Sequence, residues 1–247
     1  MQVGYRSRLS CVSPAIWELG MGKRLLSAFA MIMLSCAGVS SAVAKGVEKE
    51  TLPPPDFVRL QDVAPSIAQD MRYAGSNNFT GRPVPGYAAG TCWLRREAAL
   101  ALAAVQKDAE AEGLGLVVFD CFRPQRASNA FLAWAQDPTD QAMKAAYYPG
   151  IDKRVLFDQG YIAAKSTHST GLAVDLGFIG RDFGTPFDLF DAASATDFQA
   201  IDAEAKANRD KLLSLMRKHG FENLPNEWWH FNLPGAAKAE FFDFEVR

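Results

Sequence analysis

Ser166-Thr-His168-Ser-Thr-Gly171-Leu-Ala-Val-Asp175-Leu-Gly-Phe178 is the stretch on which the architecture turns. From Gly171 onward Leu172, Val174, Leu176 and Phe178 alternate with Ala173, Asp175 and Gly177, the two-residue period of a strand. A strand in this register buries the first set and turns Asp175 to the opposite face, with His168 just beyond the Gly171 bend. A second segment, Glu227-Trp-Trp-His230, again places a histidine close to a carboxylate. The chain has three histidines, and these two segments use two of them.

Working outward, Leu116-Val-Val-Phe119 is a short β-branched and aromatic run, read as a buried strand whose end delivers Asp120, Cys121 and Arg123. Arg123 precedes Pro124 and is biased to extended backbone. Gln125 to Gln136 is expected to be a helix with Pro124 at its permitted first turn. A helix is also predicted from Leu94 to Glu112, stopping at Gly113, and another through Leu212, Leu213, Leu215 and Met216, stopping at Gly220. His219 falls in the last turn of that helix, where a cation near the C-terminus is the expected role. Trp228 to Phe231 reads as a strand or strand edge, with Trp228 and Trp229 either lining a pocket or filling the core. Residues 137–165 and 179–195 are turn-rich. Helices and strands are interspersed without a βαβ period or a repeat, so the expected fold class is α+β, with a mainly antiparallel sheet flanked by helices.

At 247 residues and 49% hydrophobic content the chain can bury one substantial core. A net charge of -2 leaves no basic footprint, so nucleic acid is not an expected partner. Lys23-Arg24 precede an apolar run from Leu25 to Ala37 and then Ala42-Val43-Ala44, the pattern of a secretory signal cleaved after Ala44. The run is shorter than the ~20 residues of a spanning helix, so no transmembrane span is expected in the mature chain. Met21 could be the initiator, which leaves residues 1–20 upstream of the start. Lipidation at Cys36 is the alternative, but Met33-Leu34-Ser35 departs from the usual preceding triplet. Residues 45–56 are expected to be an extended segment and 57–247 the functional domain, in the periplasm or outside the cell. Removal of the leader leaves Cys92 and Cys121, either disulfide-bonded, as an oxidising compartment favours, or two buried thiols.

Zinc catalysis uses three protein ligands drawn from His, Asp and Glu, an open position for water, and a nearby carboxylate to take a proton. His168, Asp175 and His230 supply the ligands and Glu227 the base. For a single His–Asp pair, a hydrogen bond satisfying a partly buried histidine is a competing account; two such pairs using nearly all the histidines favour the metal.

The segments Ser166-Thr-His168-x3-Gly171-x-Ala173-Val-Asp175 and Glu227-Trp-Trp-His230 resemble the zinc motifs of the D-alanyl-D-alanine dipeptidase (VanX-type) branch of the M15 metallopeptidases. Asp120-Cys-Phe-Arg123-Pro-Gln-Arg126 is similar to that branch's arginine motif, Asn78-Phe-Thr-Gly81-x-Pro-Val-Pro-Gly86-Tyr87 to its N-terminal loop, Tyr147-Tyr-Pro-x-Ile151-Asp to a mid-chain signature, and Phe241-Phe-Asp-Phe-Glu to its C-terminal strand. The resemblance implies a Hedgehog/D,D-peptidase-like zinc peptidase fold with one Zn2+ per chain held by His168, Asp175 and His230. It further implies Glu227 as general base, Arg123 stabilising the oxyanion, and Ser166, Tyr73, Tyr87 and Asp188 near a bound D,D-dipeptide, Asp188 being suited to a free ammonium. The chain departs from the branch at Thr167, where serine is frequent, and in a shorter stretch between Asp175 and Asp188. An exported enzyme of this kind would meet D-Ala-D-Ala released in cell-wall turnover. The competing functions are a D,D-carboxypeptidase trimming peptidoglycan stems and a non-catalytic, zinc-stabilised peptidoglycan-binding module. The oligomeric state has no signature in the sequence.

Overall fold

The computed structural model describes residues 52–247. The expected leader at 1–44, with Met21 and Cys36, and the first part of the extended segment lie outside the described residues.

Strands β1 (Phe57–Arg59) and β3 (Trp93–Arg95) pair antiparallel as a small two-stranded sheet. The main sheet has five strands in the order β2 (Ala68–Gln69), β4 (Leu116–Asp120), β5 (Ala173–Phe178), β7 (His230–Asn232) and β6 (Glu222–Asn223). Only β2 and β4 run parallel; every other neighbouring pair is antiparallel. The fold is α+β with a mainly antiparallel sheet, as the interspersed helices and strands without a βαβ period suggested.

Among the described residues five α-helices accompany the sheets: α1 (Leu60–Val63), α2 (Arg96–Ala111), α3 (Gln125–Gln136), α4 (Lys144–Tyr147) and α5 (Ala203–Lys218). Helix α2 buries Ala98, Leu102, Val105 and Ala109 along one stripe, the helical spacing of a core-facing side. It packs against α5, which contributes Leu212, Leu215 and Met216 to the core and also touches β5. Arg209 of α5 is buried as well. Its guanidinium donates to the carbonyls of Phe183 (2.7 Å) and Ala195 (2.6 Å) and to Thr185 Oγ1 (3.3 Å), which ties down the loop that carries Asp188.

Four sequence expectations change. Leu94 belongs to β3 and not to the following helix, because it pairs with Val58. Asp175 does not face an open polar side: all six residues of β5 are buried, since this central strand is covered on both faces. The last strand begins only at His230, with Trp228 and Trp229 in the preceding turn. Phe241 to Glu245 form no strand; Phe244 instead stacks on Phe122 at 3.9 Å and meets Phe57 edge-on, and a single bridge joins Val246 to Tyr87. Aromatic packing there replaces a hydrogen-bond ladder.

Candidate metal centre

The site starts from strand register. Val118 of β4 pairs with Leu176 of β5, but the next pair is Asp120 with Asp175, so Phe119 is an extra residue in the ladder. Because side chains alternate faces, a one-residue bulge moves Asp120 onto the face of Asp175. Asp175 is in turn the partner of His230 on β7. Three adjacent strands therefore present Asp120, Asp175 and His230 in one row.

His168 reaches the same row from a 3-10 turn spanning Thr167–Thr170, whose first N–H groups are capped by the Ser166 hydroxyl (3.3 Å to the His168 N–H). Gly171 closes that turn with φ +73°, and a Cβ there would lie 2.4 Å from Phe57 Cε1. Both the left-handed backbone and the close ring demand glycine.

His168 Nε2, His230 Nδ1 and Asp175 Oδ1 form a triangle with edges of 3.0, 3.0 and 3.2 Å, all three residues being buried. The partners of the other ring nitrogens assign the tautomers. His168 Nδ1 is 2.7 Å from the carbonyl of Cys121, which can only accept, and His230 Nε2 is 3.2 Å from Asn232 Oδ1. Each of those nitrogens carries its proton, which leaves two imidazole lone pairs and a carboxylate oxygen converging on one point. That arrangement repels itself unless a cation lies among the three atoms. Tetrahedral zinc, with bonds of about 2.0–2.2 Å, sets its ligand atoms about 3.3 Å apart, close to the observed edges, so the residues fit such an ion. The same demand for positive charge shows in His230: burial lowers its pKa, but the bond to Asp175 outweighs this and raises it. Burial would likewise raise the pKa of Asp175, and the two imidazoles hold it below the carboxylate range instead.

Glu227 sits in the β6–β7 loop, its N–H donating to Leu224 O (3.0 Å), while Asn223 Nδ2 donates to the carbonyls of Glu227 and His230 (3.0 and 2.9 Å). Its Oε2 lies 3.9 Å from His230 Nδ1, beside the triangle and not within it. Burial pushes its pKa up to about 7, against the opposing pull of His230. Arg123 follows β4; its Nε and Nη2 both lie 2.9 Å from Asp120 Oδ2, and Nη2 is 3.7 Å from Asp175 Oδ2. Burial would lower its pKa, but Asp120 overcomes this and keeps the guanidinium charged.

These groups line a cavity of about 270 Å³, whose other walls include Tyr73, Phe79, Phe131, Tyr161 and Trp229. Ser166, Tyr73 and Asp188 line it too. The Tyr73 hydroxyl lies 3.0 and 3.1 Å from the two Asp188 oxygens. Burial first, and the charge of Asp175 next, push Asp188 well above the usual carboxylate range, and Asp188 holds a left-handed backbone with φ +65°. Tyr87 stands apart. It does not line the cavity but donates from its hydroxyl to Asp120 Oδ1 at 2.7 Å. Of the two tryptophans, Trp229 lines the cavity while Trp228 stacks on Phe183 at 4.1 Å. His219 is far from this cluster, 2.6 Å from Asp108.

Reading the sequence assigned no role to Asp120 or Asn232. Asn232 lies two residues after His230 and so on the same strand face, a usable signal; Asp120 was placed at a strand end and at the head of the arginine motif, but nothing local marked the bulge that aims it at Asp175.

The family profile described as D-ala-D-ala dipeptidase, Peptidase_M15, matches residues 55–247. A D-alanyl-D-alanine dipeptidase of Streptomyces coelicolor is 38% identical over 198 residues, 77% of this chain and 98% of that protein. One from Enterococcus faecium is 36% identical over the same shares of the two chains, 77% and 98%. The Escherichia coli protein of that name is 30% identical over 74% of this chain and 86% of its own length.

Proposed function

The chain belongs to the D-ala-D-ala dipeptidase family, Peptidase_M15, and from that membership we propose a zinc-dependent hydrolysis of D-Ala-D-Ala to two D-Ala, with one ion per chain held by His168, Asp175 and His230. The convergence of three ligand atoms within 3.2 Å of one another, beside a separate carboxylate 3.9 Å away, carries this reading. Zinc, when bound, supplies a Lewis acid that makes water a nucleophile near neutral pH and polarises a carbonyl.

The chain's own groups do the rest. Glu227 takes a proton from the attacking water and passes it to the leaving amine, and a carboxyl raised towards neutrality is suited to both transfers. Arg123, aimed by Asp120 and kept charged, donates to the oxygen on which negative charge develops. Asp188 and Tyr73 receive the substrate's ammonium, which supplies the counter-charge that the buried Asp188 carboxyl lacks. Ser166, 3.5 Å from Arg123 Nη1, offers a hydroxyl at the same wall. A cavity of about 270 Å³ has room for a small ligand.

Export completes the proposal. The signal-like pattern at 1–44 and the Cys92–Cys121 bridge, with Cα atoms 5.3 Å apart, support a periplasmic or secreted enzyme that recycles dipeptide from wall turnover. Among the described residues no helix is long and apolar enough to cross a membrane. The test is an assay of the zinc-loaded protein against D-Ala-D-Ala, L-Ala-L-Ala and a pentapeptide stem, with and without chelator. Chelator-sensitive release of D-Ala from the D,D-dipeptide alone is expected; trimming of the stem with the dipeptide left intact would make it a D,D-carboxypeptidase.

A further inference from the structure

The disulfide touches the metal centre through one atom. His168 takes its tautomer from the carbonyl of Cys121, and Cys121 lies between Asp120 and Arg123, two residues that meet inside the site. Strand β4 ends at Asp120, so residues 121–124 have left the ladder, and Pro124 has no N–H with which to rejoin it. Beside the packing of the buried Phe122 ring against Phe57 and Phe244, few bonds hold the Cys121 carbonyl in place. Phe122 N–H donates to Trp93 O at 2.9 Å, and the Cys121 side chain is bonded to Cys92. Arg123 N–H donates to His168 O at 3.2 Å, which ties the segment to the histidine it is meant to orient and gives no outside reference. Cys92 is itself fixed on both sides: its N–H donates to Gln69 Oε1 and its carbonyl accepts from Leu60 N–H, each at 2.9 Å.

We propose that the Cys92–Cys121 bridge is a positioning element of the metal site: it anchors the carbonyl that directs the Nδ1–H of His168, and so presents Nε2 as a lone pair to the ion. Without the bridge the nearest alternative acceptor for Nδ1 is Asp120 Oδ2, 3.5 Å away, which is already shared with Arg123. A swing of His168 toward it would misplace a ligand and compete for the group that aims the guanidinium. The chain therefore holds its ion more tightly once oxidised, which suits a protein matured outside the cytoplasm. This inference rests on the zinc reading of the site.

The test compares the wild type with Cys92→Ala/Cys121→Ala, and with Leu102→Ala in α2 as a destabilised control outside the cavity. Three quantities are read: zinc affinity by competition with a chromophoric chelator, the visible spectrum of the cobalt-substituted protein, and kcat and KM on D-Ala-D-Ala. Outer partners of metal-bound histidines are typically worth 10–100-fold in affinity or activity. The double variant is therefore expected to bind zinc about 10-fold more weakly, with an altered cobalt spectrum and a lowered kcat but little change in KM, while the control keeps wild-type values. Equal zinc affinity and spectrum in the folded double variant, or the same losses in the control, would reduce the bridge to a scaffold. If the double variant does not fold, the wild type is treated with tris(carboxyethyl)phosphine, which lacks the zinc-binding thiols of a dithiol reductant, in urea below its unfolding transition. Two thiols form at Cys92 and Cys121 as the phosphine takes up the oxygen of a water molecule and becomes its oxide. Zinc affinity, read by chelator competition, should fall as the thiols appear while the far-ultraviolet circular dichroism persists; unchanged affinity after complete reduction overturns the proposal. A wild type that neither binds zinc nor cleaves the dipeptide would instead sink the underlying reading.

Discussion

The cavity has two walls made in different ways. On one, Asp175 and His230 are partners across β5 and β7, with Asp120 of β4 behind them, so their spacing is set by a backbone ladder and by one bulge. On the other, Tyr73 and Asp188 come from segments 115 residues apart and meet through a single pair of hydroxyl–carboxylate distances, with the Asp188 loop steadied by Arg209. The first wall, completed by His168 from its 3-10 turn, sets the three ligand atoms 3.0–3.2 Å apart, as metal chemistry requires. The second needs only to offer charge and shape. Damage to the ladder wall should therefore abolish function, whereas damage to the loop wall should grade it.

The sharpest way to break this contrast is on the metal side, among the groups that the ladder wall gathers around the ion. His168→Ala should lose the ion and all measurable turnover, checked by metal analysis of the purified protein alongside the assay. Glu227→Ala should retain zinc yet lose about 10³-fold in kcat, within the span usual for general acid–base groups; loss of the ion together with activity would make Glu227 a ligand instead of a base. Arg123→Lys comes next. Lysine keeps the charge but loses the planar fork that Asp120 holds, and a fall of about 10²-fold in kcat with zinc intact is expected, whereas a change confined to KM would place Arg123 in ground-state binding.

On the loop wall the effects should be milder. Asp188→Asn keeps the size and removes the charge, so KM for D-Ala-D-Ala should rise about 10-fold, on the scale of a charge-assisted hydrogen bond, with kcat nearly unchanged. The N-acetylated dipeptide, which has no ammonium, should show no difference between the two proteins; an equal loss for both would mean that the change disturbs the wall and not a charge pair. The smallest effect belongs to neither wall. His219→Ala, at the end of α5 and paired with Asp108, should leave zinc content and turnover as they are, and any loss of either would tie that distant helix end to the site.

The legible part of this molecule was the part governed by short-range rules. The helix from Gln125 to Gln136 appears with those bounds because Pro124 and the apolar spacing act locally. The strand at 173–178 forms where its two-residue period placed it, although both of its faces are buried, and Cys92 and Cys121 are bridged. His168, Asp175, His230 and Glu227 stood out because histidine is scarce and each has a carboxylate within a few residues. Illegible were features that depend on a neighbour far along the chain. Leu94 was drawn into a strand by Val58. Phe244 was held by ring stacking where its sequence suggested pairing. Tyr87 was expected beside the dipeptide and instead supports Asp120 from behind.

By itself the sequence determined which chemistry the chain can attempt, since the donor set, the base and the cation are matters of residue type and short spacing. Only the tertiary structure decided which atoms of those residues converge. A bulge at Phe119 brings Asp120 to the face of Asp175, and the Cys121 carbonyl and Asn232 choose the ring nitrogens that remain free. Lone-pair direction and strand face change with a single residue of slip or a single ring rotation, and both are fixed by partners that the local sequence does not contain.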